Sequence, residues 1–166
     1  MSEDKKIHEP FEDRRQSAGN RPGAEVSAKP AEVAGDPEDD LAGGDETILL
    51  VDDEQIIIDV ARDMLEILGY QVIVAHNGQE AIEIYARQKD EIDAVIQDMV
   101  MPGMNGAAVF QALKGINPRV KVILASGYIM NKQIASIMEQ GCQAFMPKPF
   151  RLEDLSIKVR EVLDSP

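Results

Sequence analysis

The stretch Asp93-Ala-Val-Ile-Gln-Asp-Met-Val-Met-Pro-Gly-Met-Asn-Gly106 decides how the rest of the chain is read. Ala94, Val95 and Ile96 form a short apolar run of β-favouring character. Pro102, Gly103, Asn105 and Gly106 forbid its continuation as a strand or a regular helix. Asp98 is therefore left at the carboxyl end of a buried strand. In an open parallel α/β sheet, that edge is where ligands and chemistry collect. Asp98 is a site residue if other polar groups reach the same edge, and a turn former bonding its own backbone if none does.

Outward from this stretch, apolar β-type runs alternate with helical periodicity. The strands expected are Thr47 to Val51, Gln71 to Ala75, Asp93 to Gln97, Val120 to Ala125 and Ala144 to Met146. The helices expected are Glu54 to Leu68, Gln79 to Gln88, Ala107 to Gly115, Asn131 to Gln140 and Leu152 to Leu163. The first helix is expected to bury Ile57, Val60, Ala61, Met64, Leu65 and Leu68, and the second Ala81, Ile82 and Tyr85. Five βα units imply a doubly wound parallel α/β sheet with helices on both faces, since parallel strands need right-handed crossovers. The flavodoxin-like order 2-1-3-4-5 is the usual solution at this size, with its switch point between the first and third strands.

The first 46 residues differ in kind. They are rich in Glu, Asp, Pro, Gly, Ala and Ser, with 13 acidic and 6 basic residues and Phe11 as the only aromatic. Residues 1–46 are expected to be a disordered acidic tail, because so few large apolar groups cannot offset the entropy of ordering a backbone. A short helix around Pro10 to Gln16, folding on a partner, is the alternative. Residues 47–166 are expected to form the folded domain.

Of 166 residues, 44% are hydrophobic, enough for one core. The net charge of −13 argues against nucleic acid as a partner and suits a basic protein face or a bound cation. No apolar run approaches membrane-spanning length and the start lacks a signal-peptide stretch, so no membrane association and a cytoplasmic location are expected. Cys142 is the only cysteine, which excludes an internal disulfide and points to a buried thiol.

Five polar groups share the edge marked by Asp98. Asp52 and Asp53 end the first strand, Asp98 the third, Ser126 the fourth and Lys148 the fifth. Singly, Asp52 or Asp53 reads as a helix cap, Ser126 as a loop residue and Lys148 as a surface charge. Together, three carboxylates in one crevice repel unless a cation neutralises them, and oxygen ligands in a hydrated site suit Mg²⁺. A lysine and a hydroxyl beside that metal provide for phosphate oxygens. The chemistry implied is phosphoryl transfer with Asp98 as nucleophile.

On these residues the chain from Thr47 to Ser165 resembles the CheY-like receiver domains of two-component response regulators. The segments that carry the likeness are Ile-Leu-Leu-Val-Asp-Asp (48 to 53), Gln-Asp-Met-Val-Met-Pro-Gly-Met-Asn-Gly (97 to 106), Ile-Leu-Ala-Ser-Gly-Tyr (123 to 128) and Phe-Met-Pro-Lys-Pro-Phe (145 to 150). The resemblance implies that Asp98 is the phosphoacceptor. It implies that Asp53, Asp98 and the backbone carbonyl of Val100 bind Mg²⁺ directly, with Asp52 acting through water. Ser126 then matches the switch hydroxyl, Phe145 the switch aromatic and Lys148 the phosphate-contacting lysine. The Lys148-Pro149 bond resembles one that is cis in the family. Gln97 departs from the apolar residue usual before the acceptor and is expected to place an amide beside the crevice. Asn105 stands for a frequent Asp, and Phe145 lacks the hydroxyl of the Tyr common there.

The function implied is a phosphoprotein switch rather than an enzyme with a separate substrate, one that catalyses its own phosphorylation and dephosphorylation. Its phosphoryl donor is a sensor histidine kinase or a histidine phosphotransfer protein. Its output is a change in the face of the fourth helix, fifth strand and fifth helix, read by a protein target, or onward relay of the phosphoryl group. Nothing follows the last helix in the sequence, so no DNA-binding output domain is expected, and dimerisation on phosphorylation is left open. A binding module that is never phosphorylated is the first alternative. A Mg²⁺-dependent phosphoaspartate phosphatase is the second, weakened because Val100 stands where such an enzyme needs an acid. Met99, Met101 and Met104 read as packing, His76 as a surface loop residue, and Tyr128 as lining either the crevice or a partner face.

Overall fold

Five short apolar runs pair in parallel into one sheet in the computed structural model, which describes residues 41–127 and 132–166. The elements in chain order are β1 (Thr47–Val51), α1 (Gln55–Ile67), β2 (Gln71–Ala75), α2 (Gly78–Gln88), β3 (Ala94–Asp98), α3 (Gly106–Ile116), β4 (Val122–Ser126), α4 (Lys132–Glu139), β5 (Ala144–Pro147) and α5 (Leu152–Leu163). The strand order is β2-β1-β3-β4-β5, as the pattern of βα units implies. The suggested helix at Pro10 to Gln16, Tyr128, and the expected α4 start at Asn131 lie outside the described residues.

Successive strand residues point to opposite faces, so each central strand feeds two cores. Leu49, Val51, Val95, Val122 and Leu124 pack with the buried faces of α2, α3 and α4. Ile48, Leu50, Ile96, Ile123 and Ala125 pack with those of α1 and α5. Asn77 and Asn105 cap α2 and α3, their side chains accepting from the backbone N–H groups of Glu80 and Ala108.

The phase of α1 differs from the expected one. Ile58, Ala61 and Leu65 are buried, while Ile56 and Val60 stay 70% and 48% exposed. Three consecutive isoleucines satisfy several helical phases at once, and only the spacing of Ala61, Leu65 and Leu68 selects Ile58 as the inward one. In α2, likewise, Ile84 rather than Ile82 is buried beside Ala81 and Tyr85.

The residues just before the expected border at Glu46 make contacts of their own with the domain. Residues 41–46, read from composition as part of the tail, are seated on the domain as a strap between α1 and α5. The Gly44 N–H donates to the Leu68 carbonyl at 3.1 Å, and the Ser156 hydroxyl donates to the Ala42 carbonyl at 2.7 Å. Arg160 pairs with Glu46 at 2.6 Å and with Asp164 at 2.9 Å, and Leu41 packs on the α1/α5 core. These bonds run largely through backbone, which composition does not reveal.

Candidate functional site

Parallel pairing brings the ends of β1, β3, β4 and β5 to one edge, since Val51 lies opposite Gln97, Asp98 opposite Ala125 and Ser126 opposite Pro147. Asp98 and Ser126 are the last residues of their strands rather than the first beyond them. Lys148 follows β5 and precedes a cis peptide bond to Pro149. Its backbone N–H donates to the Ser126 carbonyl at 2.8 Å, which fixes where its side chain starts.

The Lys148 ammonium lies between two buried carboxylates. It bonds Asp52 Oδ2 and, at 2.9 Å, Asp98 Oδ1. The other oxygen of each aspartate accepts from the backbone two residues on: Asp52 Oδ1 from the Glu54 N–H at 3.0 Å, Asp98 Oδ2 from the Val100 N–H at 2.9 Å. Asp98 thus has a partner on each of its two oxygens. It makes the turn bond of a loop former and also faces a cation brought from another strand. Asp52 likewise bonds the chain just before α1, whose N-cap is Glu54.

This triad carries a net negative charge in a poorly solvated place. Burial pushes the Asp98 carboxyl above its ordinary range and Asp52 adds to that, while Lys148 pulls the other way without prevailing. Burial alone would lower the Lys148 ammonium, but its bonds to Asp52 and Asp98 outweigh that and raise it. A crevice of about 380 Å³ opens beside the triad, lined by Glu54, Ile57, Asp98, Val100, Gly127 and Lys148.

The other expected site residues are distributed differently. Asp53, next to the buried Asp52, is exposed, and the lysine pairs with Asp52 and Asp98. Among the described residues no three His, Cys, Asp or Glu side chains converge as a ready metal site. The donors that do converge are oxygens under excess negative charge, the type a hard divalent cation takes, and Mg²⁺ keeps several of its own waters. Oxygen chemistry and excess negative charge thus fit Mg²⁺. Ser126 is buried at the edge. Phe145 lies away from the crevice, half-buried on β5 where it lines grooves toward α4 and α5.

Gln97 does not sit beside the crevice as expected. Strand alternation turns it to the opposite face of the sheet, under the start of α3, where its Nε2 donates to the Gly106 carbonyl at 2.7 Å. His76 is exposed, and Cys142 is buried with its thiol pushed up to about 11 by desolvation. Met99 and Met101 are core. The feature sequence reasoning missed is the apolar patch beside the site, where Ile56, Ile57, Val60, Pro149 and Phe150 meet Lys148 around a hollow of about 260 Å³. Its signal was present in the three isoleucines, one more than a buried helical stripe needs.

Comparison with known proteins agrees with this geometry. The response regulator receiver domain family matches residues 48–160. The chain is 36% identical over 141 residues to the sensor kinase CckA of Brucella abortus, covering 85% of this chain and 15% of that protein. It is 32% identical over 117 residues to the transcriptional regulatory protein CpxR of Escherichia coli K12, covering 70% of this chain and 48% of that one. The chain thus spans half or less of these relatives. A receiver domain protein from Clostridium thermocellum superposes with a TM-score of 0.69 at 31% identity, over 72% of this chain and 94% of its own. A five-stranded sheet in the order β2-β1-β3-β4-β5, a lysine held between two aspartates at its edge, and a family match across most of the folded part place this chain in the response regulator receiver family of two-component signalling.

Proposed function

We propose that Asp98 accepts a phosphoryl group from a phosphohistidine on a sensor histidine kinase or a histidine phosphotransfer protein, in the cytoplasm and with Mg²⁺. The observation that carries this is the Lys148 ammonium bridging Asp52 and Asp98 at the strand edge. Asp98 attacks the phosphorus, an O–P bond forms as the P–N bond breaks, and the leaving electron pair stays on the imidazole, which takes up a proton. Asp52, Asp53, Asp98 and the Val100 carbonyl are the oxygens that would hold Mg²⁺, whose charge offsets that of the incoming group. Lys148 transfers one of its bonds to a phosphoryl oxygen, and the Ser126 hydroxyl donates to another. Phe145 then adjusts to the displaced Ser126, altering the α4-β5-α5 face for a protein partner or a relay step.

The apolar patch of Ile56, Val60, Pro149 and Phe150 supports a protein donor in the cell. It adjoins the crevice through Lys148, so a protein presenting a histidine there must cover it. The test is intact-protein mass after incubation with acetyl phosphate. A gain of one phosphoryl group that requires Mg²⁺ and is absent in Asp98→Ala is expected. No gain in the wild type would favour a binding module that works unphosphorylated.

A further inference from the structure

Gln97 is wholly buried, and its side-chain Oε1 has no hydrogen-bond partner among the described residues. Exchanging the amide oxygen and nitrogen does not cure this, because the group it meets is the Gly106 carbonyl, which only accepts. Leucine or methionine would fill the same apolar layer, between Val51 and Leu124 in neighbouring strands, without burying an unpaired acceptor. The amide therefore brings the core an unsatisfied group, and what it gives in return is the bond to Gly106.

That bond holds a specific loop. Residues 99–106 leave β3 and return to it: the Met99 N–H donates to the Ala125 carbonyl at 2.9 Å, and the Gly106 N–H donates to the Met99 carbonyl at 3.0 Å. A side chain at position 106 would meet the Asp98 carbonyl oxygen and Met99 Cα at 2.8 Å, so only glycine allows an approach this close. Between the two ends lies Val100, 57% exposed, whose N–H fixes Asp98 Oδ2.

We propose that Gln97 is a positioning residue: its amide ties the first turn of α3 to β3 and so sets the loop that presents the Val100 backbone to Asp98 and to Mg²⁺. It touches neither the metal nor the phosphoryl group, and acts from the opposite face of the sheet. This rests on the reading of Asp98 as a Mg²⁺-assisted phosphoacceptor.

The test uses the full chain, ¹⁵N-labelled, as wild type, Gln97→Leu and Gln97→Met. MgCl₂ is titrated against backbone amide shifts, and the melting temperature is measured without metal. The expected result is a Mg²⁺ midpoint raised at least threefold in both variants, with new or broadened resonances confined to residues 98–106 and a melting temperature equal to or above that of the wild type. A midpoint equal to the wild type's would overturn the proposal. So would a midpoint that moves only in proportion to a lowered melting temperature, which would make Gln97 a packing residue. A wild type whose amides ignore Mg²⁺ sinks the reading of Asp98 first, and the positioning role with it.

Discussion

The molecule contains the same charge motif twice, at opposite ends of its sheet. At the carboxyl edge Lys148 lies between Asp52 and Asp98, and at the amino edge Arg160 lies between Glu46 and Asp164. The formal charges match, two carboxylates to one cation, but the consequences differ in sign. Arg160 holds the Glu46 carboxyl below its ordinary range, whereas the Asp98 carboxyl sits above its own. Solvation explains the difference. Glu46 and Asp164 keep 26% and 65% of their side-chain surface, and Asp52 and Asp98 keep 3% and 8%. Near water an ion pair favours the charged forms, and in a poorly solvated crevice the same pairing fails to cover the desolvation of the Asp98 carboxylate. The first arrangement fastens a strap. The second holds an excess of negative charge, which is the kind a cation offsets.

Replacing each cation gives the sharpest contrast. Lys148→Met leaves two buried anions facing each other and should destabilise the fold by about 3 kcal/mol in urea unfolding without metal. Added Mg²⁺ should recover much of that loss. Beginning the chain after Glu46 instead of at Leu41 removes Leu41 packing and the strap's hydrogen bonds, for an expected loss of about 2 kcal/mol. Arg160→Met should cost only about 1 kcal/mol, and that loss should shrink with added salt while the Lys148→Met loss persists.

Acid provides the finest discrimination. A carboxyl lowered in the fold contributes stability above its ordinary value, 4.5 for Glu46, and that contribution disappears as pH falls through the lowered value. Glu46→Gln should therefore lie below the wild type by about 0.5 kcal/mol at neutral pH and converge with it in acid. Asp98, raised from 3.8, contributes stability at low pH that is lost as pH rises through the raised value. In EDTA, Asp98→Asn should match or exceed the wild type in melting temperature at neutral pH. Opposite pH slopes for these two variants keep the comparison, and parallel slopes break it.

The sheet was legible because its signals are chemical and local. Apolar runs closed by Gly, Pro and Asn marked the strands, and counting βα units ordered them. Asp52, Asp98 and Lys148 were legible because strand ends in a parallel sheet share an edge. Three features were not. The inward isoleucine of α1 was hidden by redundancy, since Ile56, Ile57 and Ile58 fit every phase equally well. The strap was hidden because Gly44 and Ala42 contribute backbone, which has no composition. Gln97 was misplaced because adjacency to Asp98 in sequence suggested adjacency in space, whereas successive strand residues face opposite sides.

Each crevice aspartate has one oxygen on a backbone N–H and the other on the lysine. The first kind of partner cannot leave without unravelling a turn, and the second rotates away on four methylenes. In the proposed transfer the two oxygens of Asp98 are therefore not equivalent. Oδ2 is moored by Val100, and Oδ1 is the one the lysine can uncover. Were Asp98 the acceptor, its line of attack would thus be biased before any donor arrives.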